Sequence, residues 1–178
     1  MGNKSSKSES DDSSEKEEQP SYYQMVKQGY NDLVNAIIRP PRYSYEMGQL
    51  GPKKFNFCGK SFQREDFELL NSRGLKIMCS LWEPASECRP NVALPCLIYM
   101  HGNSSARVEA LGQLSLTLSL GATLVSFDFT GSGKSDGEYV SLGSFEKDDL
   151  KVVYSCTDHF LLIIEILIVF WFFTFNLI

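Results

Sequence analysis

Two serines stand in settings that could make a nucleophile. Gly133-Lys134-Ser135-Asp136-Gly137 matches G-x-S-x-G letter for letter, and Gly102-Asn103-Ser104-Ser105-Ala106 matches it with alanine in the last glycine position. The pattern matters because a sharp turn between a strand and a helix lifts the hydroxyl to where a histidine can take its proton. Ser135 lacks that setting: the preceding strand pattern ends near Phe129 and the next helix begins only near Ser144, so it falls inside a loop. Ser104 does lie between a strand and a helix, but no acid and base follow it in suitable places. Asp158-His159 supplies the letters of such a pair. Adjacent residues point in different directions, however, and cannot form a relay in which one orients the other, so Ser155–His159 reads as a polar connector. Gly131-Ser132-Gly133-Lys134-Ser135 imitates a phosphate-binding loop, yet Asp128 takes the place of that motif's first glycine. Neither a nucleotide nor any other cofactor is expected.

The elements that must position these residues are legible as changes of hydrophobic period. Ser21 with Gln24 makes a capping box, and Met25, Val26, Tyr30, Leu33, Val34, Ile37 and Ile38 recur at helical spacing until Pro40-Pro41. An amphipathic helical segment over 21–41 follows, whose stripe either packs on the body or lies on a membrane. From Phe55 the pattern turns to short strands. Phe67–Leu70 and Leu75–Trp82 flank Asn71-Ser72-Arg73-Gly74 and predict an antiparallel hairpin. Cys96–Met100 and Ala122–Phe129 are apolar runs suited to strands covered on both faces, with a helix over about Ala106–Leu118 between them and another from Ser144 to Tyr154. Strand, helix, strand, helix after a hairpin predicts an α/β sheet with a parallel centre and an antiparallel edge.

That order, with His101-Gly102-Asn103 after the first parallel strand and Asp128-x-x-Gly131-x-Gly133-x-Ser135 after the second, resembles the first half of an α/β-hydrolase over about residues 55–154. More narrowly it is similar to the serine aminopeptidase-like branch of peptidases, lipases and thioesterases. The resemblance implies an incomplete α/β-hydrolase fold in which the backbone N–H of Asn103 is one donor of an oxyanion hole. His101 and Gly102 then shape that loop, and Asp128, Gly131, Gly133 and Ser135 support the motif after the next strand. It also implies that the true nucleophile, the acid and the histidine come later, in that order. Here the family-like sequence stops after about Tyr154. The expectation is therefore a truncated relative of enzymes that cleave ester, thioester or peptide bonds, without a complete catalytic site, whose sheet is left open where a central strand is missing.

Composition narrows the partners. The net charge of −5 and the absence of a Lys/Arg stripe argue against nucleic acid. Five cysteines without C-x-x-C spacing indicate neither a disulfide framework nor a metal site. Residues 1–20 are dense in Ser, Glu, Asp and Lys and read as a disordered tail. They open with Met1-Gly2-Asn3-Lys4-Ser5-Ser6, which fits the pattern for myristoylation of Gly2 and predicts attachment to a membrane lipid surface on its cytoplasmic face. One such chain binds only reversibly, so a second signal is needed. The hydrophobic tail over 160–178 has three readings. At about 1.5 Å per residue a helix there just spans a bilayer core, with Glu165 toward one end. Alternatively it is buried core, or it is non-native translation, the reading favoured by the abrupt change in mid-helix.

Overall fold

The structure, a computed structural model, describes residues 21–90, 94–160 and 166–170, with side chains described as far as residue 157. Gly2 and the remainder of the 1–20 tail lie outside the described residues, as do 161–165 and 171–178 of the hydrophobic tail. The chain divides into two compact units, Met1–Val34 and Asn35–Ile178.

In the first unit, helix α1 (Tyr22–Ile38, which runs on into the second unit) begins at the expected capping box. Ser21 N–H donates to Gln24 Oε1 at 2.7 Å, and Gln24 N–H donates to Ser21 Oγ at 3.4 Å. No residue of α1 is buried.

The second unit is built on a six-stranded sheet. Its strands are β1 (Lys54–Phe57), β2 (Lys60–Leu70), β3 (Lys76–Pro84), β4 (Cys96–Met100), β5 (Thr123–Phe127) and β6 (Ile166–Phe170), in the order β1-β2-β3-β5-β4-β6. The first four neighbours pair antiparallel, while β4 pairs parallel with both β5 and β6. Cys58 and Gly59 join β1 to β2 with φ of 49° and 74°, and two successive left-handed residues give the tight hairpin turn whose twist matches the strands. The second hairpin turns on Asn71, whose side-chain oxygen accepts N–H bonds from Arg73 and Leu75 at 2.9 and 3.0 Å.

Side-chain alternation along the strands sorts the core into two clusters. Ile77 and Cys79 of β3, Cys96, Ile98 and Met100 of β4 and Val125 and Phe127 of β5 pack with Leu150 and Val153 of helix α3 (Ser144–Phe160). Trp82, Tyr99 and Leu124 face the other way, against a 3₁₀ turn over Arg107–Ala110, helix α2 (Leu111–Ser119), and Tyr45 and Leu50 from the chain before β1. Every residue of β5 is buried, as a strand covered on both faces requires.

Three expectations are corrected. Ser155–His159 is no connector: α3 continues through it to Phe160, so the helix gains about two turns beyond Tyr154. Nor is the outer edge of β4 open, because Cys96–Met100 pairs in register with Ile166–Phe170. Those five residues are a strand, which removes the continuous spanning helix considered for 160–178, and among the described residues no helix is long and apolar enough to cross a membrane.

Burial ranks the thiols. Cys58 and Cys88 are exposed, Cys156 is half-buried, and Cys79 and Cys96 lie in the core, where burial pushes their thiols up, Cys79 well above the ordinary range. Timed alkylation of the native chain followed by mass spectrometry should modify Cys58 and Cys88 first and Cys79 and Cys96 only after denaturation. Early modification of Cys79 would contradict the position of β3 in the centre of the sheet.

Candidate functional site

The loops that leave the carboxyl ends of β4 and β5 meet at one buried carboxylate. Asp128, directly after β5, has no exposed surface. Its Oδ1 accepts the Arg107 N–H at 2.7 Å, at the start of the 3₁₀ turn that follows the His101–Ala106 loop. Its Oδ2 accepts the Tyr45 O–H at 2.7 Å and the Lys134 N–H at 2.9 Å. The equally buried Arg107 guanidinium brings Nε to 3.8 Å from the same Oδ2, while Nε and Nη1 find no hydrogen-bond partner among the described residues. Asp128 is thus the counter-charge of that guanidinium and the clamp between three stretches of chain. Gly133 fits against it: a Cβ there would lie 2.3 Å from Asp128 Cγ, and the backbone has φ of 48°.

Burial has a further consequence for Tyr45, whose hydroxyl is pushed up out of its ordinary range by loss of water and by its bond to the Asp128 carboxylate. It stays a neutral donor. A second buried carboxylate, Asp149 of α3, accepts from Asn71 Nδ2 at 2.8 Å and from Thr130 N–H and Oγ1 at 2.9 and 2.6 Å, fixing α3 to both the hairpin turn and the loop after β5.

Ser135 is 1% exposed. Its Oγ donates to the Asp128 carbonyl at 2.6 Å and accepts the Met78 N–H at 2.9 Å, so the hydroxyl is occupied in holding the Gly131–Gly137 loop to β3. Ser104 is half-buried and sits at φ of 58°, a left-handed conformation that a non-glycine residue seldom adopts. Its N–H bonds the Asn103 side chain at 3.1 Å.

His101 is buried against Phe129, with ring centroids 5.0 Å apart. Its Nδ1 lies 2.8 Å from the Gly102 carbonyl, and its Nε2 lies 3.0 Å from the Phe129 N–H. A carbonyl can only accept and an amide N–H can only donate, so the ring is fixed with the proton on Nδ1 and the lone pair of Nε2 engaged. Burial lowers its pKa, against the Gly102 carbonyl and the more distant carboxylates of Asp128, Glu109 and Glu146, which pull the other way. Both nitrogens are used within the fold, and neither is free to accept a proton from a serine.

Asn103 is placed differently. Gly102 N–H is taken by Glu109 Oε2 at 3.1 Å, and Glu109 is held in turn by the Tyr99 hydroxyl at 2.9 Å. The Ser105 N–H goes to the Gly102 carbonyl, whereas the Asn103 N–H makes no hydrogen bond among the described residues. Asn103 lines a cleft of about 190 Å³ together with His101, Phe129, Ser132, Leu142 and Glu146. The Glu146 carboxyl is not available for acid chemistry there. Burial pushes it up, but bonds from Ser141 and Gly143 prevail and hold it below the usual carboxylate range. Asp158 and His159 follow one another on α3, about 100° apart around its axis.

Sequence reading does not find Tyr45, Arg107, Glu109 or Glu146. Each acts through a partner distant in sequence or through an ordinary-looking helix start, and a single sequence carries no signal for that.

No family model and no curated protein matches the chain. Among solved structures, the Pyrococcus furiosus esterase Pf2001 is similar with a TM-score of 0.50 and 23% identity, over 68% of this chain and 42% of that one. A hypothetical protein from Pseudomonas aeruginosa is similar with a TM-score of 0.50 and 17% identity, over 70% of this chain and 39% of that one. The match therefore spans about two fifths of those chains. The fold is that of the α/β-hydrolases in part.

Two measurements test the site. Asp128→Ala strands the Arg107 guanidinium in the core and should cost about 3–5 kcal/mol in urea unfolding, and a loss under 1 kcal/mol would remove Asp128 from its clamping role. A neutral His101 favours the fold at high pH. Because its folded pKa is depressed, that stability is complete above the ordinary histidine value of about 6.5 and falls as the pH drops below it, by at most about 1.4 kcal/mol per pH unit. His101→Gln should flatten the slope between pH 7.5 and 5.5, and an unchanged slope would count against the buried neutral ring.

Proposed function

We propose that the chain carries the oxyanion-binding side of a serine hydrolase site, of the serine aminopeptidase-like branch, for an ester, thioester or peptide bond. The observation that carries this reading is the uncommitted Asn103 N–H at the wall of a cleft beyond the carboxyl ends of β4 and β5. A backbone amide held there by its neighbours' hydrogen bonds needs no reorganisation when negative charge develops on a carbonyl oxygen. Such a donor contributes roughly 3–4 kcal/mol to lowering the barrier. Glu109 and Tyr99 support it by fixing the Gly102 amide one residue before, and Asp128 supports it by fixing the Arg107 amide at the far end of the loop.

The same hydrogen bonds favour a second element of the proposal, that these 178 residues do not hydrolyse by themselves. Ser135 is buried and doubly bonded, Ser104 has no histidine nitrogen to turn to at His101, and residues 171–178 contain neither glycine nor serine from which an elbow after β6 could be made. An alternative reading is a non-catalytic binding module attached to a lipid surface through its N-terminal region, and the exposed stripe of α1 favours it.

A fluorophosphonate probe, which labels only activated serines, tests the first reading. The purified 178-residue chain should remain unlabelled under conditions that label a control esterase stoichiometrically. Stoichiometric labelling lost on Ser104→Ala or Ser135→Ala would overturn the assignment. Sequencing the transcript past the codon for Tyr154 separates the two readings, since an open frame encoding a G-x-S-x-G strand-turn-helix supports the enzyme and its absence supports the module.

A further inference from the structure

We infer that the apolar stripe of α1 docks on an uncharged lipid surface and is the second signal that a myristoylated Gly2 requires; this deepens the lipid-attached reading above and is independent of any hydrolytic site. Within its own unit the helix leaves Tyr22, Tyr23, Met25, Val26, Tyr30 and Leu33 between 54% and 84% exposed, and none of its residues is buried. A helix of 17 residues whose apolar face is buried by none of the described residues of its unit is marginal in water, because helices of this length owe most of their stability to burial of that face. The stripe therefore needs a cover.

Three observations point to lipid as that cover. The stripe mixes tyrosines with aliphatic side chains, and tyrosine favours the boundary between headgroups and hydrocarbon. The Met1-Gly2-Asn3-Lys4-Ser5-Ser6 pattern places a site for an acyl chain within twenty residues of the helix start, so that a docked acyl group keeps α1 at high local concentration over the same surface. Charge selects the kind of lipid. Lys27 and Asp32 balance one another on α1, while Glu9, Asp11, Asp12, Glu15, Glu17 and Glu18 outnumber Lys7 and Lys16 in the intervening segment and are repelled by an anionic leaflet. A surface of zwitterionic headgroups fits all three.

The helix is also tied where it ends. The Ile38 carbonyl accepts the Val140 N–H at 2.9 Å, and Arg39 pairs with Glu138 at 2.8 Å.

The test uses the full chain made by cell-free synthesis with N-myristoyltransferase and phosphatidylcholine vesicles, read by flotation and by hydrogen exchange of residues 22–34. A single myristoyl chain gives an association constant on the order of 10⁴ M⁻¹. The wild-type chain should bind at least tenfold more tightly, Val26→Glu with Leu33→Glu should lose that tenfold, Gly2→Ala should lose at least as much, and vesicles should protect the amides of α1. Replacing a third of the phosphatidylcholine by phosphatidylserine should weaken binding. Unprotected α1 amides in the presence of vesicles overturn the inference, as does binding that persists in the doubly substituted chain or that requires phosphatidylserine. A melting temperature lowered by the double substitution in the absence of lipid would show that the stripe packs on protein instead, and equally overturns it.

Discussion

Asp128 is a charge that water cannot reach, and the geometry around the candidate site follows from how that charge is satisfied. A buried carboxylate is tolerated only when donors and a counter-charge surround it, and here the donors come from three separate stretches: Tyr45 before the sheet, Arg107 after β4 and Lys134 after β5. Once those bonds are made, the loop after β4 is fixed at its far end, the Gly131–Gly137 loop is folded back on β3, and the Asn103 amide in the first of these loops is left without a hydrogen bond among the described residues. Asp149 does the same work one layer out, between α3 and the hairpin turn.

This arrangement explains why G-x-S-x-G at Gly133–Gly137 is not an elbow. An elbow needs its serine lifted above the sheet, with its hydroxyl unoccupied. Ser135 is instead drawn under the loop, where its hydroxyl satisfies the Asp128 carbonyl and the Met78 amide, and Gly133 is required by the nearness of Asp128 rather than by any turn into a helix. The same letters serve packing in one context and chemistry in another, and the flanking elements decide which.

Much of the scaffold was legible. The apolar runs at Cys96–Met100 and Ala122–Phe129, the capping box of α1 and the Asn71–Gly74 turn each carry a local physical signal, and β4, β5, α1 and the second hairpin lie where those signals fall. The position of Asn103 between β4 and the turn that leads into α2 was legible for the same reason. The stretch after Tyr154 was not. Ser155, Thr157 and Asp158 look like a polar connector because helical period needs more than a few residues to show, and an unbroken apolar segment such as Ile166–Phe170 suits a covered strand as well as a spanning helix. Its pairing with β4 depends on residues some seventy positions earlier, which local pattern cannot report. Tyr45, Arg107 and Glu109 escaped for a like reason, their roles being set by partners that only the folded chain brings within reach.

What remains for chemistry at the cleft depends on whether the imidazole that lines it is free, and the state of His101 decides it. Nitrogen-15 spectra of the histidine rings, assigned with His101→Gln, read this directly. A ring protonated on Nδ1 that titrates below the ordinary histidine value of about 6.5 is the expected result. A His101 ring that titrates near pH 6.5, or that carries its proton on Nε2, would mean that the bonds to Gly102 and Phe129 are not those described and that a base is present after all.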